Sequence, residues 1–282
     1  MCGSTEVPSD TLAEIVYLTR SENRAQLLVT LAAATPRPGQ SPSGYSRREL
    51  AEVTGASQPT LSRILTEFEE RGWAERTTEG EYVPTPFGVH LADEFESFIS
   101  SVDVLRDLGD VAAILPTTEL SIDRRHFGDA KVRRLGGPQP IEFRRYLADL
   151  LRDGSASFYV LSKDPGPATP GSEAHDRIVA GHLDYVLINP GHIHEYFTDI
   201  PEAMETGLEQ LEAGAEYYVY DGEIPCNLFI LDEVVVIENG HGADNGSEAV
   251  IESRNETVRT WALELFERYR EAATKLTVED LS

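Results

Sequence analysis

The sequence predicts an α/β chain, α+β overall, in three parts. Residues 1–86 form a helical domain closed by a β-hairpin, 87–116 a linking helix, and 117–282 an α/β domain with a mixed sheet. Three observations carry this. Capped helix signals recur before residue 73 and give way to two short strand patterns. Leu91, Phe95, Phe98, Val102 and Leu105 step by four and three, a narrow helical seam. Beyond residue 140, strand patterns first alternate with helical ones and then follow one another directly, the order of a sheet with parallel and antiparallel neighbours.

In chain order, ENRAQLLVTLAAA (22–34) is a helix capped by Ser21, with Leu27, Leu28 and Leu31 on one face. The proline-rich stretch TPRPGQSPSGY is a loop. Ser46 caps a short helix through RRELAEVT that turns Leu50, Ala51 and Val53 inward and stops at Gly55. Ser57 caps a third helix, with Pro59 in its first turn, where a missing N–H costs nothing. Its apolar face is Leu61, Ile64, Leu65 and Phe68, and Gly72 ends it. Residues 73–85 read as a hairpin around Glu79-Gly80. Three helices with a tight turn before the third, then a hairpin, are the order of a winged helix-turn-helix. The linking helix follows at 87–108.

In the C-terminal part, helices are expected at 141–151, 173–181, about 201–213 and 255–274. Strands are expected at 155–162 and 183–190 and in EYYVYDG, NLFILDE, VVVIENG and EAVIESR. The last helix presents Val258, Trp261, Ala262, Leu265 and Tyr269 on one face.

Composition narrows the class. The 282 residues suit about two cored domains. No apolar run approaches the roughly 18 residues that a membrane span needs, and the N-terminus lacks a secretory pattern, so a cytoplasmic protein without membrane partners is expected. Cys2 and Cys226 supply neither a disulfide framework nor a metal knuckle. The formal net charge is −25, and only Lys131, Lys163 and Lys275 of the 24 basic residues are lysine. Such a carboxylate-rich, lysine-poor surface favours solubility in molar salt, so a halophilic cytoplasm is the expected setting. The acid is uneven: residues 1–90 hold 8 arginines against 12 acids, whereas 37–63 hold Arg37, Arg47, Arg48 and Arg63 against Glu49 and Glu52. A locally basic stretch in an acidic chain points to a polyanion.

That stretch overlaps the third helix, whose outward face offers Gln58, Thr60, Ser62 and Arg63. Gln pairs with adenine and Arg with guanine through two hydrogen bonds in the major groove, which makes Gln58 and Arg63 the expected base readers, with Thr60 and Ser62 contacting phosphate or bases. Arg47 and Arg48 at the start of the preceding helix would hold the DNA backbone, and Ser57 and Arg76 complete the expected DNA-contacting set. Double-stranded promoter DNA is the expected partner; a winged helix used only for protein contacts is the alternative. Leu91, Phe95, Phe98, Val102 and Leu105 are the expected dimerisation residues of a homodimer.

SENRAQLL, SRREL and SQPTLSRILTEFEERGW resemble archaeal winged-helix transcription regulators of the ArsR and TrmB-like kind. FYVLSKD (158–164), IVAGHLDYVLI (178–188), YVYDGEIPCNLFILD (218–232) and WALELFERYR (261–270) resemble the effector domain of the methanogen filament-formation regulator family. Together these cover nearly the whole chain. The resemblance implies a one-component regulator with a DNA-reading domain, a dimerising helix and a sensor domain related to half of a phospholipase D fold. Among haloarchaeal TrmB-like regulators it implies a link to sugar metabolism.

That fold relation raises a hydrolase as a further alternative. Such enzymes use H-x-K, and His241-Gly242-Ala243 lacks the lysine. No Walker loop, Rossmann glycine pattern or H-E-x-x-H is present. No catalytic activity, cofactor or metal is therefore expected, and His192-x-His194 and His182 read as surface residues. A ligand pocket in an α/β domain lies at strand ends. Ser162, Lys163, Asn189, Tyr220 and Asn227 stand at such ends and are the expected binders of a small effector. Lys163, in a chain so poor in lysine, suits a sugar-phosphate-like ligand.

Overall fold

The structure, a computed structural model, describes residues 8–33, 44–116, 119–135, 141–152, 154–163, 172–191, 200–238 and 249–281. The chain divides into two compact units, Met1–Ile99 and Ser100–Ser282.

The first unit holds helices α1 (Ser9–Thr19), α2 (Glu22–Ala32), α3 (Arg47–Thr54) and α4 (Gln58–Glu70), strands β1 (Ala74–Arg76) and β2 (Tyr82–Pro84), and the first half of α5 (Pro86–Leu108). Ser46 and Glu49 form a reciprocal capping box at α3, satisfying two backbone donors that a helix start leaves open. Gly55 then takes a left-handed φ of 63°, which only glycine adopts without cost, and turns the chain into α4. Leu61, Ile64, Leu65 and Phe68 of α4 are buried against Leu27, Leu28 and Leu31 of α2. Each such side chain contributes about 1.5–3 kcal/mol on leaving water. β1 and β2 pair antiparallel, and Tyr45 adds a bridge to Tyr82 with two 2.9 Å hydrogen bonds.

Three expectations are corrected in this unit. Helix α1 precedes the first expected helix. Ser21 sits at the N-cap of α2, but its side chain makes no capping bond. Val53 is half exposed: α3 buries Leu50 and packs Ala51 against the core, and Val53 falls outside that face.

The expected linker, 87–116, is no separate body. Ala92 and Phe95 complete the first core, whereas Val104, Leu108, Val111, Ile114 and Leu115 belong to the second.

The second unit is an eight-stranded sheet in the order β10-β6-β5-β4-β7-β8-β9-β3. Its strands are β3 (Lys131–Arg134), β4 (Ser157–Leu161), β5 (Asp184–Pro190), β6 (Glu216–Tyr220), β7 (Asn227–Leu231), β8 (Val234–Glu238), β9 (Ala249–Ser253) and β10 (Thr274–Lys275). β4, β5 and β6 run parallel and every other pairing is antiparallel, so the sheet is mixed. One face is covered by α9 (Glu256–Ala272), whose Val258, Trp261, Ala262, Leu265 and Phe266 are buried. The other is covered by α6 (Ile141–Arg152), α7 (Ser172–Val179) and α8 (Pro201–Glu212). The β7–β8 turn is fixed by Asp232, whose carboxylate accepts hydrogen bonds from the backbone N–H of Ala156 (2.8 Å) and Ser157 (2.9 Å).

Buried Glu252 on β9 ties three elements together, bonding the Arg133 guanidinium of β3 and accepting from the Tyr146 hydroxyl of α6 at 2.8 Å. Burial pushes its carboxyl up in pKa, but the bonds from Arg133 and Tyr146 outweigh this and hold it below its ordinary value. A depressed folded pKa contributes stability above the unfolded carboxyl value of about 4.3, and that stability is lost as pH falls through the folded value. Arg133→Met removes the cation and leaves the burial. The variant is expected to melt below the parent near pH 7, with the gap narrowing as pH falls from about 5 to 3, because acid removes from the parent a contribution that the variant has already lost. Identical acid profiles would refute this role for the pair.

Candidate functional sites

Helix α4 presents Gln58 and Arg63 to solvent, with Ser62 half-buried between them. Its apolar residues face the core, so this outward stripe is free of any packing duty. The Arg63 guanidinium lies near Glu67, one turn on, with Nη1 3.9 Å from Oε1. Glu67 is itself gripped by the Tyr17 hydroxyl of α1 and, at 3.4 Å, by Nη2 of Arg24 of α2. The Tyr17 ring lies between the guanidinium groups of Arg24 and Arg71, 3.9 and 4.1 Å from its centroid.

The other expected DNA contacts divide. Ser57 and Thr60 spend their hydroxyls on each other, 2.9 Å apart, and Ser57 caps α4, so both serve the helix start. Arg47 donates to the Tyr82 hydroxyl at 3.0 Å, fixing α3 to the hairpin. Arg48 pairs with Glu52 at 2.9 Å. Arg76 reaches back to the Gly80 carbonyl at 3.4 Å and so braces the hairpin tip. All three arginines remain exposed.

The five-residue seam of α5 is not one surface. Phe95 is 8% exposed and Leu91 half-buried, both packed in the first core. Phe98, Val102 and Leu105 are exposed, Phe98 at 55%. The period was right, but the fold of the first unit takes two of its members. Phe98 also walls an apolar groove of about 510 Å³ in the first unit, floored by Leu18, Trp73 and Phe95 and flanked by Ile15 and Phe87.

In the second unit the register brings four of the expected ligand residues together. Ser162 follows Leu161, which pairs with Ile188 on β5 and Leu228 on β7. Asn189, Ser162 and Asn227 therefore stand side by side at one edge of the sheet, with Lys163 next along. Asn227 Oδ1 accepts from the Lys163 backbone N–H at 2.7 Å, and its Nδ2 donates to Glu238 at 2.6 Å. Glu238, unforeseen from the sequence, is buried at the end of β8. Its signal was a lone acid closing the apolar run VVVIE.

Tyr220 does not join them. It lies one residue past Val219, the neighbour of Asn189, so it points to the opposite face, where its ring packs 4.9 Å from Tyr269. His192, His194 and His241 lie outside the described residues. His182 is exposed. Among the described residues, no helix is long and apolar enough to cross a membrane.

Comparison with known families follows the same division. Residues 12–107 match the HVO_A0261 N-terminal domain family. Residues 168–272 match the middle domain of the methanogenesis regulatory protein FilR1. The first match spans the helices, the hairpin and most of α5; the second spans β5 to β9 and α9. No curated protein matches the chain. Among solved structures, the archaeal chromatin protein TrmBL2 aligns over 95% of this chain and 100% of its own, at TM-score 0.38 and 17% identity. The O-methyltransferase NcsB1 of neocarzinostatin biosynthesis aligns over 77% and 82%, at TM-score 0.25 and 14% identity. The dimethyltransferase RosA from Streptomyces davawensis aligns over 77% and 68%, at TM-score 0.25 and 14% identity. Scores this low carry no weight on function.

Proposed function

We propose that the protein is a sequence-specific, DNA-binding transcription regulator, acting as a homodimer, whose second unit senses a small molecule. The observation that carries this is the outward stripe of α4. Gln58 and Arg63 have base-reading chemistry and are exposed on a helix whose other face is fully packed. The match of residues 168–272 to a domain of a regulatory protein supports the same reading. Arg47, Arg48 and Arg76 then face phosphates, and Phe98, Val102 and Leu105 face a second copy. We assign no catalytic role. The targets we propose are metabolic genes, those of sugar metabolism among them, in a halophilic archaeon.

The test begins with selection of binding sequences from a random DNA pool, followed by fluorescence anisotropy at fixed salt. Arg63→Ala and Gln58→Ala are each expected to weaken the selected site by about 1–3 kcal/mol and to relax preference at one base position. The fold is expected to survive, since neither side chain is buried. Unchanged affinity in both variants would move DNA reading off this face. Failure to select any sequence would favour a protein-contacting winged helix.

A further inference from the structure

The strand edge that gathers Asn189, Ser162 and Asn227 is an abrupt change within one face of the sheet. One rung inward, Tyr217, Leu187, Val160, Phe229 and Val236 lie side by side on β6, β5, β4, β7 and β8, all in the apolar core under α6, α7 and α8. The next rung on the same face reads Val219, Asn189, Ser162, Asn227 and Glu238. All five are buried, Asn189 at 1% exposure. Four polar side chains in one buried row are costly unless each is bonded.

Three of the four form a chain: the Ser162 hydroxyl donates to Asn227 Oδ1 at 3.4 Å, and Asn227 Nδ2 donates to Glu238. Asn189 is the exception. Among the described residues, its Oδ1 finds no hydrogen-bond donor. The row also lies at the carboxyl ends of the parallel strands β4 and β5, where open α/β sheets bind ligands.

We infer that this edge is the seat of the effector and that Asn189 binds it through a hydroxyl group, the ligand being a neutral, hydroxyl-bearing small molecule of the polyol class. This rests on reading the second unit as a sensor. The open atom is an acceptor, so the ligand must bring a donor. An amide can also turn about its last bond and offer its NH₂ instead; a hydroxyl satisfies either orientation, an anion only one. Charge points the same way. Glu238, buried in the row and bonded by Asn227, sets an acid at the same edge as Lys163, so a phosphate would meet an anion as well as a cation, and we infer a neutral ligand in place of the phosphorylated one that Lys163 suggests.

A residue kept for a ligand is a burden to the empty protein, and that gives a test a purely structural asparagine would fail. Melting of the full chain is followed by scanning calorimetry with glycerol, myo-inositol and D-glucose, each alongside its monophosphate. At least one parent compound is expected to raise the melting temperature by about 2–4 °C in a saturable way, and its phosphate to have little effect. Asn189→Leu is expected to abolish the shift while melting, without ligand, at or above the parent temperature, because an amide oxygen with no donor among the described residues has been replaced by an apolar group. Asn189→Ala, which adds no branched group, must lose the shift as well. Three results would overturn the inference: no parent compound shifts the protein, only the phosphates do, or Asn189→Leu melts well below the parent. The readout involves no DNA. A protein that responds to a polyol yet selects no DNA sequence would sink the regulator reading and leave this one standing.

Discussion

Gly88→Ala is expected to destabilise the first unit by about 3 kcal/mol or more, the reverse of what that exchange does in an ordinary helix. Gly88 lies in the first turn of α5, where the chain doubles back over the hairpin. A Cβ there would overlap the carbonyl oxygen of Trp73 and stand 2.9 Å from its carbonyl carbon. These are backbone atoms and cannot swing aside. The same junction is closed by three bonds: Thr85 N–H to the Trp73 carbonyl at 3.1 Å, the Thr85 hydroxyl to the Gly72 carbonyl at 2.6 Å, and Gly88 N–H to the Thr85 hydroxyl at 3.0 Å. Relieving the clash means opening them and lifting Trp73, 3% exposed, from the core. Chemical denaturation of the two proteins measures the effect. A variant as stable as the parent would show that α5 does not approach the Trp73 backbone so closely.

The second large effect is on assembly. Phe98→Glu is expected to convert a dimer to a monomer and to lower operator affinity by about two orders of magnitude, because two linked half-site contacts become independent. More than half of the Phe98 side chain is exposed, so it contributes little to its own unit. An exposed aromatic of this size beside an apolar groove needs a cover. Phe95→Glu is the contrast: it places a charge inside the first core, and unfolding rather than dissociation is expected. Analytical ultracentrifugation with circular dichroism separates the two outcomes. A parent protein that sediments as a monomer, or a Phe98→Glu protein that remains a folded dimer, would remove this surface from consideration.

What could be read from the sequence was what local chemistry determines. Helix α4 has a serine cap, a proline in its first turn and a glycine after its end, and its position followed from those alone. Helix α1 was missed because its N-cap position is Pro8, with no capping side chain, and because Leu12, Ile15 and Val16 face outward, leaving Leu18 as its only buried residue. Strand β3, KVRR, has no alternation of its own. Pairing with β9 makes it a strand, and its partner is more than 100 residues away in sequence.

The seam of α5 shows the same limit. Spacing told which residues share a helix face but not which neighbour covers each of them. At the polar edge, proximity to strand ends found Asn189, Ser162 and Asn227, whereas Tyr220 needed the two-residue alternation to be followed one step further. Glu238 was invisible while β8 was read as an isolated run, because its meaning comes from Asn227 on the next strand.

Cys226 gives the second unit a clock. Its thiol is fully enclosed one residue before β7, and burial, with Glu238 and Glu119 adding to it against Lys163, pushes its pKa up to about 12. Near neutral pH the closed protein therefore holds almost no thiolate, and a disulfide reagent reaches the sulfur only in molecules whose sheet has parted. With Cys2 changed to Ser, Cys226 is the single thiol of the chain. The pace of its labelling then counts openings of the strand edge beside Asn189, one sulfur at a time.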